Sequence, residues 1–435
     1  MGKNVLTTAQ NIFLKAKKLH DAFQFKKAAK NYHSAGLNFL KVEDLEKAVQ
    51  SFILGAESYI EAKKFKESVE LLRLAANIYL DIEDFDNAFQ IFKDIMKIVP
   101  KITDNEKKNN FYILFPTLSY LCLFVEGKQE EGLKIIKKYQ KNVDSDFFKE
   151  HYLIKLITDL TISTRKKSEK HLEKIFHYFE NFKLKEKEID LLKKALFLTR
   201  LYLNTESILS LDKEVYTTNE LIRMTLILKT SHLMDTWNDI FNNVNINEIE
   251  IENIDYKMSD NLNIHEKPAL PIKLDMNKDE TLHFVIKPNF QKDGSYIGPL
   301  EIKCKINNKL VFTHATDVIQ PNLISPPPVL EISMRNLRTP LIGQTFPIEF
   351  TLHNVSEGEA IDIDVNVEFP EEIKIMRGTI SKQIYSLRQN EEIKWELNIK
   401  PLEAGDHVII ARIKFKDPDQ NPIELIKEFP YSINL

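Results

Sequence analysis

Glycine is scarce in this chain, with 11 residues among 435, against about 7% in average proteins. So little glycine argues against the left-handed turns from which phosphate-cradling loops are built, and no glycine-rich phosphate loop, HExxH helix or GxSxG elbow occurs. Cysteine is nearly absent. Cys122 and Cys304 fall in segments assigned below to different domains, so neither a disulfide framework nor a cysteine-based metal site can be built from them. That usage fits a reducing cytoplasm. Long apolar runs are also missing: the most apolar stretch, Phe111–Val125, is shorter than the ~20 residues of a spanning helix and is interrupted by Pro116. It is expected to be a buried helix. The opening MGKNVLTTAQNIF has no uninterrupted apolar segment of the secretory kind, and Leu6 stands where a myristoylation motif needs Ser or Thr. The expected location is cytoplasmic, with peripheral membrane contact left open.

Composition is otherwise that of a globular protein, with 43% hydrophobic and 29% charged residues. The length calls for more than one core, hence two to four domains. The net charge of −4 conceals an uneven distribution. Residues 1–41 hold eight lysines against the single acid Asp21, whereas residues 329–435 hold 18 acids against 12 bases.

Laid on itself, the chain repeats every twenty residues: FKKAAKNYHSAGLNF from Phe25, LEKAVQSFILGAESY from Leu45, FKESVELLRLAANIY from Phe65 and FDNAFQIFKDIMKIV from Phe85. Apolar or small residues recur in each unit. They are Phe25, Leu45, Phe65 and Phe85, then Ala28, Ala48, Ser68 and Ala88, then Tyr32, Phe52, Leu72 and Phe92, then Gly36, Ala56, Ala76 and Met96. Spacings of i, i+3, i+7 and i+11 mark one helix face, and the small columns allow close helix approach. The turns between units are short and polar, so successive helices should run antiparallel and stack. Further helices are expected at 109–125, 130–140, 147–163, 169–181, 185–203 and 219–243, making residues 5–243 one right-handed α-solenoid.

The run from Phe25 to Gly36, with its aromatic and alanine columns, resembles the soluble NSF-attachment protein (SNAP) family, built from tetratricopeptide-like hairpins. The resemblance covers roughly residues 5–100. It implies a surface that grips acidic helical bundles in membrane-trafficking assemblies. That family continues as helices into an end that stimulates a partner ATPase; the C-terminal half here reads as β-structure, so that activity is not carried over.

After Asn243 the period shortens to two. Ile249 and Ile251 alternate with Glu248, Glu250 and Glu252, then Ile254, Tyr256 and Met258 resume on the other parity, as a bulge near Asn253 would produce. Residues 246–318 are expected to form a small β-sandwich, followed by a stiff extended linker at 319–328, IQPNLISPPP. Beyond it, Phe346–Leu352, Ile361–Phe369, Ile393–Ile399 and Ile409–Phe415 alternate cleanly between polar turns. Evenly punctuated strands of this kind indicate an immunoglobulin-like sandwich over 329–435. The wording GQTFPIEFTLHN and EEIKWELNIKPLEAGDH resembles the CARDB-type immunoglobulin-like modules of archaea and bacteria. Such modules bind or space and do not catalyse.

Candidate chemistry is thin. His171 and His177 sit six apart, on different sides of a helix. Asp417, Asp419, Asn421 and Glu428 fall at EF-hand positions, but Pro422 replaces the required glycine between strand flanks, so a hairpin turn is expected. Trp237 and Trp395 are expected in cores. No metal or other cofactor is expected. The functional candidates are lysines: Lys15, Lys18, Lys26, Lys27 and Lys30, extended by Lys134, Lys137, Lys138 and Lys141 and by Arg165, Lys166 and Lys167. They form either solvated helix faces or a patch for an acidic or helical protein partner or an anionic membrane. Nucleic acid is not expected of a slightly acidic chain without a recognised module. The chain therefore reads as a non-catalytic adaptor or scaffold. The alternatives are a non-catalytic subunit of an enzyme complex, an enzyme with an unrecognised site, or a cell-surface spacer.

Overall fold

A computed structural model of the protein describes residues 2–177, 179–229, 247–275, 278–292 and 294–433. Helices occupy the first half: α1 (Gly2–Asp21), α2 (Phe25–Leu40), α3 (Leu45–Glu61), α4 (Phe65–Asp81), α5 (Phe85–Ile98), α6 (Asn105–Val125) and α7 (Gln129–Gln140). Each packs on the next, so the chain folds back and forth as an array. The small columns do what their size permits: a Cβ on Gly36 would lie 2.6 Å from the ring of Phe52, itself fully buried. The apolar stretch Phe111–Val125 is buried within α6. Among the described residues no helix is long and apolar enough to cross a membrane.

The first four turns share one geometry. Phe23, Glu43, Lys63 and Glu83, twenty residues apart, all stand at φ between 56° and 59°. In each turn two backbone bonds reach back over the helix end, as Asp44 N to Phe39 O at 3.1 Å and Glu43 N to Leu40 O at 3.1 Å. This is the Schellman closure, which glycine usually provides. Here side-chain-bearing residues occupy the left-handed position, which is how a glycine-poor chain makes the same turn. Asp44, Asp84 and Asp104 then cap the following helices by accepting from the backbone N–H groups of Lys47, Asn87 and Lys107.

Four more helices follow: α8 (Ser145–Glu150), α9 (Tyr152–Lys166), α10 (Glu169–His177) and α11 (Glu186–Asn204). The helix expected at 147–163 is broken at His151, whose extended backbone ends α8 and whose Nδ1 caps α9 by accepting from Leu153 N. The last helix packs across α4, α6 and α9 and reaches the first β module.

The helix expected at 219–243 is not formed over its first part. Strand β3 (Ile222–Lys229) stands there instead, after β1 (Glu206–Leu211) and β2 (Val215–Thr217), which already follow α11. In β3 Ile222, Met224, Leu226 and Leu228 alternate inward with period two, and the strand is bonded on both sides, which overrides any helical tendency. The rest of that expected helix, with Trp237, lies outside the described residues. Among the described residues the helices end at Asn204, and the middle module takes strands from the range expected to be solenoid.

That module continues through β4 (Ile249–Met258), β5 (Leu262–Glu266), β6 (Ile272–Lys273), β7 (Glu280–Pro288), β8 (Ile297–Ile306), β9 (Leu310–Ala315) and β10 (Asn322–Ile324). Two antiparallel sheets, β1-β3-β7-β5 and β6-β4-β8-β9, share a core that runs on into the helical part. The parity slip near Asn253 is a register shift in the β4–β8 ladder between Ile251 and Asn253. The proline-rich segment is extended, but it is not a free linker. Its β10 pairs in parallel with β2, and the Pro326 carbonyl lies where a Cβ on Gly358 would stand, 2.1 Å away.

The last part contains β11 (Leu330–Asn336), β12 (Phe346–Asn354), β13 (Ala360–Glu368), β14 (Ile373–Arg377), β15 (Ser381–Leu387), β16 (Glu392–Pro401), β17 (Gly405–Lys416) and β18 (Pro422–Ile433). Two antiparallel sheets, β11-β12-β16-β14 and β15-β13-β17-β18, bury a core of their own that includes Ile348, Phe350, Val365 and Ile413. Trp395 is half-buried at its margin and stacks on Phe350 at 5.4 Å.

Candidate binding surface of the helical array

The repeat columns explain where each candidate lysine stands. Six, ten and thirteen residues into the later units, Ser51, Gly55 and Ser58 in α3, Leu71, Ala75 and Ile78 in α4, and Ile91, Ile95 and Ile98 in α5 are all buried. In α1 the same positions are Asn11, Lys15 and Lys18, all exposed. Lys15 and Lys18 thus stand exposed on α1 at positions that are buried in α3, α4 and α5.

Lys26, Lys27 and Lys30 are exposed on α2, with Lys27 Nζ donating to Gln24 Oε1 at 3.2 Å. Lys134, Lys137 and Lys138 on α7, and Lys141 just beyond it, are exposed as well, and Lys138 Nζ sits 5.4 Å over the Tyr139 ring. Among the described residues none of these nine lysines forms an ion pair. The α7 group packs through α6, several helices along from α2, so the lysines divide into an α1 pair, an α2 group and an α7 group. Arg165 does not join them freely: its guanidinium pairs with Glu130 at 2.5 Å.

A different cluster went unseen in the sequence. Arg73 on α4 and Glu188 on α11 form a bidentate pair, Nε to Oε1 and Nη2 to Oε2 both at 2.6 Å. Arg73 is 8% exposed and Glu188 fully buried. Glu188 also accepts from Lys185 N at 2.8 Å, closing the first turn of α11. Around this pair lies a charge seam: Lys185 on Glu70 at 3.3 Å, Lys187 on Asp81 at 2.5 Å and Lys194 on Glu83 at 3.2 Å. Lys309, between β8 and β9, reaches the same Glu83 at 3.2 Å. The start and middle of α11 are therefore bound against α4 and the turn after it by a basic-on-acidic fit. The sequence signal was faint: Arg73 interrupts a column otherwise filled by His33, Ile53 and Lys93.

Groups with catalytic chemistry are held in other ways. His171 Nδ1 lies 2.6 Å from Asp159 Oδ1, and His177 closes the last turn of the same helix; among the described residues no cluster of metal-ligating side chains forms. Asp417 turns the β17–β18 hairpin, accepting from Asn421 N at 2.8 Å, as a hairpin reading requires. Ser207 Oγ is 2.8 Å from His314 Nε2, the approach a hydroxyl nucleophile would use. Burial draws that imidazole down to about 4, with Lys167 pulling the same way and Asp317 opposing, and its Nδ1 has no hydrogen-bond partner. So weak a base leaves the hydroxyl protonated at neutral pH, and the pair ties an edge strand of one sheet to an edge strand of the other. Burial likewise pushes the thiol of Cys122 well above its usual range and that of Cys304 up to about 12, which keeps both as inert core groups.

No protein-family model matches the chain, and a comparison with curated proteins returned no match.

Proposed function

We propose that the protein is a non-catalytic adaptor whose helical array binds a protein partner that is helical, acidic or both. On this reading the array is a tetratricopeptide- and SNAP-like right-handed solenoid. The two β modules are immunoglobulin-like sandwiches that space the array or hold a second partner. The observation that carries it is the set of exposed lysines on α2, which no acid of the chain neutralises among the described residues, on an array that already holds one helix, α11, across α4 and α6. A scaffold that seats a helix by charge and apolar contact in one place has the means to seat another beside it. A role in membrane-trafficking assembly, with peripheral contact at an anionic membrane, belongs to this reading through the SNAP resemblance.

The test is affinity capture from the source cell with the full-length protein and with a variant carrying Lys26→Glu, Lys27→Glu and Lys30→Glu. The reading predicts a protein recovered in stoichiometric amount by the first and lost with the second. Recovery unchanged by the charge reversal removes the α2 lysines from the site. No protein recovered, together with flotation on anionic liposomes that fades at high salt, would replace the adaptor with a lipid-binding protein.

A further inference from the structure

Helices α2 and α4 are equivalent members of the repeat, forty residues apart, so each α4 position in the α11 interface has a counterpart on α2. Arg73 corresponds to His33, Asn77 to Leu37, Leu80 to Leu40, Glu70 to Lys30 and Asp81 to Lys41. On α4, Arg73, paired with Glu188 of α11, is 8% exposed, and Leu80, beside the Asp81 that pairs with Lys187, is 4% exposed. On α2 the counterpart His33 is half-buried, Leu40 is half-buried and Leu37 is 42% exposed. The row that α11 crosses on α4 thus has its counterpart on α2, where among the described residues no element packs over it as α11 packs over α4.

Two of the three charge positions along the row are inverted, and the third, Glu83, keeps its sign in Glu43. Where α11 sets Lys185 against Glu70 and Lys187 against Asp81, α2 offers Lys30 and Lys41, with Lys26 one turn before Lys30. From this we infer that the α2 face His33, Leu37 and Leu40, flanked by Lys26, Lys30 and Lys41, is a docking site for an amphipathic helix of a partner protein. That helix carries acidic residues where α11 carries Lys185 and Lys187. The occupant is a helix because the counterpart row on α4 already accommodates one. It is acidic because a basic helix such as α11 would meet like charge at both anchoring positions. This inference rests on the adaptor reading and narrows it: the α7 lysines and the α1 lysines Lys15 and Lys18 take no part.

The test uses the full-length protein and two fluorescein-labelled peptides. One has the sequence of residues 185–204, α11 with the lysine before it; the other is the same sequence with Lys185→Glu and Lys187→Glu. Fluorescence anisotropy should show the acidic peptide bound at least tenfold more tightly than the basic one. The variant Lys30→Glu, Lys41→Glu, which restores the α4 charges on α2, should reverse that order, and Leu37→Asp should weaken both peptides. Reversal of preference is a signature that misfolding cannot imitate. Equal binding of the two peptides, or a preference untouched by the charge swap, overturns the inference. So does binding to phosphatidylserine vesicles that the swap abolishes while neither peptide binds. If the partner captured from cells survives this swap but is lost when the α7 lysines are reversed, the adaptor reading stands and only the α2 site falls.

Discussion

Arg73 and Glu188, 115 residues apart in sequence, meet in a buried two-point contact that fixes α11 across α4. Taking two charges out of water is costly, and the pair repays that only while both members are present. Removing one leaves the other buried and unpaired, so Arg73→Leu or Glu188→Leu should each lower stability by about 3–5 kcal/mol. The double replacement should lose less than either single change plus its partner's. Urea unfolding of the two single variants and the double one measures this directly. Small, additive losses would mean that α11 is held by its apolar face alone.

The left-handed turn residues supply a second expectation. Lys63 is exposed and stands at φ 56°, a conformation that costs a side-chain-bearing residue on the order of 1 kcal/mol and glycine little. Lys63→Gly should therefore raise the unfolding midpoint by the equivalent of about 0.5–1 kcal/mol, against the usual penalty for glycine. The same change at Lys47, inside α3, should lower it by about 1 kcal/mol.

His314 sets a pH dependence. Its folded-state value, about 4, lies below the unfolded value near 6.5, so between these limits the unfolded chain binds a proton that the folded chain refuses. Stability should be fully present above about pH 6.5 and fall as pH drops toward 4, by on the order of 3 kcal/mol from this residue. His33 and His151, lowered by burial as well, add slope of the same sign. Replacing His314 by Gln should flatten the stability profile between pH 4 and 6.5, and an unchanged slope would count against its burial as the neutral form.

The proline segment is predicted to be clamped. Any side chain at Gly358 collides with the Pro326 carbonyl, and Asn354 Nδ2 donates to the Gly358 carbonyl at 2.6 Å, which holds that loop in place. Gly358→Val should open the segment between the β modules to proteolysis near Ser325, while the cores of both modules stay resistant. Cleavage at the rate of the unaltered protein would show the clamp to be unimportant.

What the sequence revealed and what it hid follow one physical rule. The columns at Phe25, Ala28, Tyr32 and Gly36 are read easily because neighbouring helices repeat the same local contact. Strands β12, β13, β16 and β17 are equally plain, since each has one wet and one dry face. Residues 222–229 misled because the apolar set Ile222, Met224, Leu226, Ile227 and Leu228 fits a helix face as well as a strand, and only its bonding to β1 and β7 decides. Arg73 and Glu188 were invisible as a pair, since a contact over 115 residues leaves no period to detect. The lysines were found by charge alone. Their division into an α1 pair, an α2 group and an α7 group needed the repeat columns to be set against burial.

The most direct measurement is amide hydrogen exchange on the full-length protein, alone and with the partner captured from cells. Slowed exchange in peptides spanning Phe25–Leu40, with α4 and α11 unchanged, is the predicted outcome. Protection confined to the β modules, or to α7, would contradict the account.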